Sequence, residues 1–246
     1  MIPSTHAAAP PSSPLDPSFD ERLATLDARD RILAAVEQFG DGLIVTTSFG
    51  IQAAVMLHLI ASHAPGIAVV FIDTGFMFPE TYRYADQLAK DLQLDLRYYT
   101  SHWSAARIQA LHGPLWEKGA EGLDRYNDLV KVEPMNRALN ELKAKAWLSG
   151  LRRSQSSTRQ TLRFAEKQRG IVKIHPILDW TDEQVGDYFE QHQLPPHPLA
   201  YQGYASVGDT HSSKPLAEGM TAEQSRFNGL KRECGLHERA CLNYEI

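Results

Sequence analysis

Cysteine is scarce: the chain has two in 246 residues, Cys234 and Cys241. Two thiols cannot build the disulfide framework of a small secreted domain, nor supply the four thiolates of an all-cysteine iron–sulfur cluster. They suit a reducing compartment, so a cytoplasmic location is expected. No apolar run approaches the roughly 18 residues of a membrane span, and no membrane contact is expected. Positive charge is also short, with 25 Lys and Arg against 30 Asp and Glu and a formal net charge of −5. Bulk nucleic-acid binding, which needs a basic face, is therefore not expected. A local basic pocket for a small anion remains open. What is present is ordinary: 43% apolar and 22% charged residues. That composition suits a soluble domain whose core needs neither disulfide nor metal.

Five of the 14 prolines crowd into the first 17 residues. That stretch has no basic start and no apolar centre, so it reads as a disordered tail and not as a secretory signal. Apolar residues then recur at helical spacing over 19–39, with Gly40 as the expected stop. Beyond it, short apolar runs alternate with amphipathic stretches. Strands are expected at 43–47, 67–72, 94–99, 146–148 and 171–174. Helices are expected at 51–60, 79–92 and 133–142, and another opens at Thr181, a plausible N-cap. This alternation implies βαβ units: an α/β fold with a mostly parallel open sheet and helices on both faces. The pattern weakens after Gln193. The expected organisation is a tail over 1–17, an α/β domain over 18–205 and a mobile C-terminal arm over 206–246.

In an open parallel sheet, ligands sit where strands end and helices begin. The first such junction holds Ser48, Gly50 and Gln52. Its backbone N–H groups and helix dipole suit a phosphate or sulfate, although a simple Ser-Gly turn reads the same. The loop is neither a Walker A loop nor a GxGxxG fingerprint. The second junction carries Asp73 and Gly75, placed for ribose hydroxyls or for an Asp-Gly turn. The fourth carries Arg152 and Arg153, an anion clamp or a solvated basic loop. Near the C-terminus, Cys234 lies among Lys231, Arg232 and His237. Neighbouring cations lower a thiol's pKa and make it nucleophilic. An inert cysteine is the alternative. Cys234, His237 and Cys241 lack a standard zinc spacing, so no metal is expected.

Together these segments resemble the assimilatory phosphoadenylyl-sulfate (PAPS) reductases over about residues 20–240. The resemblance rests on Ser48-Phe49-Gly50-Ile51-Gln52, Asp73-Thr74-Gly75, Tyr126-Asn127-Asp128, Lys131 to Asn136, Gly150 to Ser156, Asp179-Trp180, Ser206 to Thr210, and Glu233 to His237. The Ser-Phe-Gly loop alone marks the wider adenine-nucleotide alpha-hydrolase superfamily; the cysteine motif separates the reductases. The resemblance implies reduction of PAPS to sulfite by thioredoxin or glutaredoxin, through an S-sulfocysteine on Cys234. It implies that His237 lines the sulfate pocket and that Lys131 faces the sulfate end. Ser48, Gly50 and Asp73 match nucleotide loops, Arg152 and Arg153 a basic loop near the anionic groups. Arg226, Lys231 and Arg232 lie on the arm that closes over the ligand. A homodimer is implied as well. The adenylyl-sulfate (APS) branch of the family carries cluster cysteines where this chain has Leu129-Val130 and Asp209-Thr210-His211-Ser212-Ser213, so no iron–sulfur cluster and no bound cofactor are expected. The competing readings are an ATP pyrophosphatase-type or sulfate-adenylylating enzyme of the same superfamily, and a non-catalytic nucleotide-binding protein.

Overall fold

The computed structural model describes residues 17–219 and Ser225. All but the last residue of the expected N-terminal tail, and Arg226, Lys231, Arg232, Cys234, His237 and Cys241 on the expected arm, lie outside the described residues. The strands β1 (Leu43–Thr47), β2 (Ala68–Asp73), β3 (Asp95–Thr100), β4 (Ala146–Ser149), β5 (Ala165–Gln168) and β6 (Ile171–Ile174) form one sheet in the order β3-β2-β1-β4-β6-β5. All pairings are parallel except β5 with β6. Five strands fall where the sequence pattern places them.

The helices are α1 (Pro17–Ala24), α2 (Ala28–Phe39), α3 (Ala53–His63), α4 (Pro79–Asp91), α5 (Ala105–His112), α6 (Gly119–Asn127), α7 (Glu133–Glu141) and α8 (Asp182–Gln191). Alternation along the strands feeds two separate cores, because successive side chains point to opposite faces. Val45, Val69, Phe71 and Leu148 join the core beneath α2, α3 and α4. Ile44, Val70, Ile72 and Trp147 pack with Met135, Ala138 and Leu139 of α7. Helices thus cover both faces, as expected. A third cluster gathers Ile108, Leu115, Leu123 and Tyr126 from α5, α6 and their linker.

Three features depart from the sequence pattern. The single helix expected over 19–39 is two, because Asp27 accepts the Asp30 N–H at 2.8 Å and caps a fresh start. This satisfies one of the orphan donors that every helix N-terminus exposes. The edge strand β5, Ala-Glu-Lys-Gln, carries no apolar period. It is held by a tight turn in which Arg169 and Gly170 both have positive φ, the geometry that matches hairpin twist. Finally, residues 206–213, assigned to the arm from the sequence, pack against the α/β body. Met77 bridges Asp209, and the Thr210 N–H donates to the Phe76 carbonyl at 2.8 Å.

Candidate active site

The strand order reverses at β1: the chain runs outward through β2 and β3 on one side and through β4 and β6 on the other. Such a switch point leaves a crevice at the strands' carboxyl ends. A cavity of about 590 Å³ opens there, reached by Ser48 after β1, Thr74 after β2 and Gly150 after β4.

The loop after β1 is built around Phe49. Its φ is 48°, a conformation that bulky residues rarely adopt. Its ring is buried against Phe71, edge to face at 5.0 Å, and its N–H donates to Thr47 Oγ1 at 3.0 Å. Anchored packing of this kind sustains a strained loop. The loop delivers Ser48, Gly50 and Gln52 to the cavity wall and starts α3 there, with no side chain capping its N-terminus. The N-terminus of α3 thereby turns its positive dipole end to the cavity, although its Ala53 and Val55 N–H groups donate to the Gly50 and Gln52 carbonyls at 3.0 and 3.3 Å. Above Gly50 lies the Val207 carbonyl, 3.4 Å from where a Cβ would stand.

The two adjacent arginines part company. Arg152 is buried and lines the cavity. Its Nη2 donates to Gln52 Oε1 and to Asp182 Oδ1 at 2.7 Å, and its Nη1 donates to Ser154 Oγ at 2.9 Å and to the Trp180 carbonyl at 3.2 Å. The partner Asp182 stands at the first turn of α8, where Thr181 and Gln184 cap one another reciprocally. Arg153 is not among the residues lining the cavity. It donates to the Leu162 carbonyl at 2.8 Å and lies 5.2 Å from the centre of the Phe164 ring. Arg159, not singled out from the sequence, reaches the cavity instead and donates to Gln155.

Asp73 and Gly75 are likewise absent from the cavity lining. Asp73 Oδ1 accepts the Gly75 N–H at 2.8 Å and the Tyr82 hydroxyl at 2.6 Å. Burial, then this carboxylate, pushes the Tyr82 phenol upward. These bonds make a turn, but Asp73 does not cap the helix that follows, since α4 starts after Phe78 with no side-chain hydrogen bond at its cap. Gly75 has φ 75° and would bring a Cβ to 3.1 Å from that of Ala105, so the turn requires glycine.

Lys131 does reach the cavity, from a π-helical turn over Asp128–Val132. Pro134 explains the turn: it has no N–H for the Val130 carbonyl, and Glu133 N–H bonds Asp128 instead. The Lys131 ammonium lies 2.9 Å from Asp209 Oδ2, and both side chains are buried. Burial alone would raise the Asp209 carboxyl. Lys131 and the Thr74 hydroxyl outweigh it and hold that carboxyl at about 2. Asp209 lies in the Ser206 to Thr210 segment that carries the resemblance, but periodicity assigns it no role, because a lone aspartate in a Gly/Ser-rich loop has no period. Among the described residues, no group of three or more His, Cys, Asp or Glu is placed to hold a metal ion.

Fold and cavity define a doubly wound α/β protein of the nucleotide-binding class, with Ser48, Lys131 and Arg152 on the cavity wall at its switch point. Within that class, the model of the phosphoadenosine phosphosulfate reductase domain matches residues 42–215, and the chain belongs to this family. A phosphoadenosine 5′-phosphosulfate reductase of Xylella fastidiosa is 48% identical over 231 residues, covering 94% of this chain and 97% of the relative. One from an Enterobacter strain is 51% identical, covering 88% and 89%. The crystal structure of PAPS reductase from Candida auris, a phosphate complex, superposes with a TM-score of 0.72 at 34% identity, covering 82% of this chain and all of that one. An FMN adenylyltransferase of Candida glabrata shares the fold alone, with a TM-score of 0.59 at 14% identity.

Proposed function

We propose that the chain reduces PAPS to sulfite and adenosine 3′,5′-bisphosphate with electrons from reduced thioredoxin or a glutaredoxin. The observation that carries this reading is the cavity at the β1/β4 switch point, walled by the segments that the family match spans. Near-full-length relatives at 48–51% identity support it.

The chemistry follows from thiol reactivity. The Cys234 thiolate attacks the sulfate sulfur. An S–S bond forms, the S–O bond to phosphate breaks, and adenosine 3′,5′-bisphosphate leaves. A thioredoxin thiolate then attacks Cys234 Sγ and releases sulfite. The second thioredoxin thiol frees Cys234, leaving thioredoxin as the disulfide. Two thiols are oxidised as the sulfate sulfur is reduced by two electrons. Thiolate attack on an anion needs opposing positive charge. The uncapped α3 N-terminus, Ser48, Arg152 and Lys131 are the described groups assigned that task; His237, Arg226, Lys231 and Arg232 are assigned it from the arm. Ser225 is tied to the body by the Lys214 N–H at 3.1 Å. Cys234 follows nine residues later, a tether of at most about 30 Å. The reading includes a homodimer, a cytoplasmic location and no bound cluster.

The test is Cys234→Ser. Sulfite formation from PAPS and reduced thioredoxin is expected to vanish while adenosine 3′,5′-bisphosphate still binds. Sulfur-labelled PAPS without thioredoxin should leave label on Cys234 of the wild type. Label on Cys241, or full activity in the variant, would sink the assignment.

A further inference from the structure

We propose that Asp209 is a positioning residue of the reductase reaction, holding the Lys131 ammonium on the cavity wall where it meets the anionic group being transferred. The proposal rests on the PAPS reductase reading above and extends it to a residue that does not itself touch the transferred group.

A lysine alone is a poor fixed charge. Its four-carbon stem rotates freely, and its ammonium has no preferred direction. The surroundings here remove that freedom. The π-helical turn points Lys131 inward, and the Tyr126 ring lies 5.3 Å from its Nζ. Asp209 then sets the ammonium's position at 2.9 Å. The carboxylate is in turn held by a direct contact, and its backbone by two more. Thr74, at the end of β2, donates its hydroxyl to Oδ1. The bridge to Met77 fixes the backbone of Asp209, and the Ser212 N–H donates to the Asp209 carbonyl at 3.0 Å. Behind the pair, His211 stacks on Trp116 at 3.9 Å, with its Nε2 4.0 Å from Asp209 Oδ2. The charged and titratable groups facing the carboxylate are thus Lys131, His211 and Tyr126, with Tyr82 and Asp73 beyond them.

Two alternatives are weaker on the same geometry. A general base must accept a proton near neutral pH, and a carboxyl held at about 2 does not. A purely structural ion pair has no need to line the cavity, yet both Lys131 and Asp209 do. A substrate anion arriving there meets a lysine whose burial is already compensated, so no charge has to be reoriented during reaction. That is the condition for electrostatic catalysis by fixed groups.

The experiment compares Asp209→Asn, Lys131→Met and the double variant. The readouts are kcat and KM for PAPS with reduced thioredoxin, Kd for adenosine 3′,5′-bisphosphate, and acetylation of Lys131 by acetic anhydride followed by mass spectrometry. Misplacing the ammonium in Asp209→Asn is expected to lower kcat on the order of 10- to 100-fold. KM and Kd should stay within about threefold of wild type, and Lys131 should label faster, because a buried ammonium that has lost its carboxylate partner shifts towards the neutral amine. In the Lys131→Met background, Asp209→Asn should cost less than about threefold more, since contacting residues that act as a unit are non-additive. Equal losses in both backgrounds, or unchanged kcat, overturn the proposal. Should Asp209→Asn fail to fold, Thr74→Val removes one donor from the carboxylate and keeps both charges. It is expected to lower kcat with KM unmoved and to speed labelling; no change in either overturns the proposal. Wild type that forms no sulfite ends the reductase reading itself, and the labelling of Lys131 then decides whether Asp209 holds it.

Discussion

Arg152 and Arg153 are neighbours with opposite fates, and the difference is testable. Arg152 holds together Gln52, Ser154, Trp180 and Asp182 across three loops at the cavity wall. Arg152→Lys keeps the charge and loses the planar fork that makes these bonds at once. Its affinity for adenosine 3′,5′-bisphosphate should fall about tenfold, or about 1.4 kcal/mol. Arg153→Ala should change that affinity by less than about threefold, because its guanidinium is spent on the Leu162 carbonyl and the Phe164 ring. Calorimetric titration of both variants decides the matter; a larger loss in Arg153→Ala would reverse the assignment. The sequence shows two basic residues after a strand and nothing more. A short 3₁₀ turn, Arg153–Gln155, begins between them. No periodic rule says which side chain enters the crevice. Asp73 teaches the same lesson: an aspartate at a strand tip was equally consistent with a ligand contact or a turn, and its bonds to Gly75 and Tyr82 are those of a turn.

Among the elements, those with long apolar periods were legible: β1, β2, β4, β6, α4 and α7 lie within a residue or two of expectation. Elements held by single polar contacts were not. The α1–α2 break depends on one aspartate cap, and β5 on a two-residue turn and on Asp20, which accepts the Ala165 N–H at 2.9 Å. The segment after Gln193 is another case. His197 is fully buried there: Thr81 Oγ1 is 3.1 Å from its Nε2, its Nδ1 accepts the Leu199 N–H, and Tyr84 packs on its ring at 4.9 Å. Burial lowers its pKa from 6.5 to about 4. The unfolded chain therefore binds a proton that the folded chain refuses between those two values. This stabilising contribution is complete above about pH 6.5 and is lost as pH falls towards about 4. Denaturant unfolding should show a drop on the order of 3 kcal/mol across that window from this group, about 1.4 kcal/mol for each pH unit. His197→Asn, whose side-chain oxygen can replace Nδ1 as the acceptor, should flatten the drop. An unchanged slope would assign the acid sensitivity elsewhere.

For the whole molecule, substrate choice follows from how the cavity presents charge. PAPS exceeds APS by a 3′-phosphate carrying up to about two negative charges. A charge-assisted contact to that group is worth on the order of 1.5–3 kcal/mol, or roughly 10- to 150-fold in kcat/KM. PAPS should be preferred by that margin with the same reduced thioredoxin; a ratio near one would remove the chain from the PAPS-selective branch. The strand order has a further consequence, in the time domain. β1 pairs with β2 about 25 residues away and with β4 about 100 residues away. Contacts so distant in sequence form late, because the intervening loop must close first. The β3-β2-β1 half can therefore assemble while the other flank of β1 still exposes its peptide groups beside Ile44 and Val45. Such an open edge templates pairing with other chains. A fragment ending at residue 145 is expected to aggregate, whereas the intact chain should refold with a slow phase that is lengthened by weakening β4. The central strand that carries the Ser48 loop is thus also expected to be the last seam of the sheet to close, so the cavity at its tip would take shape only when folding is nearly over.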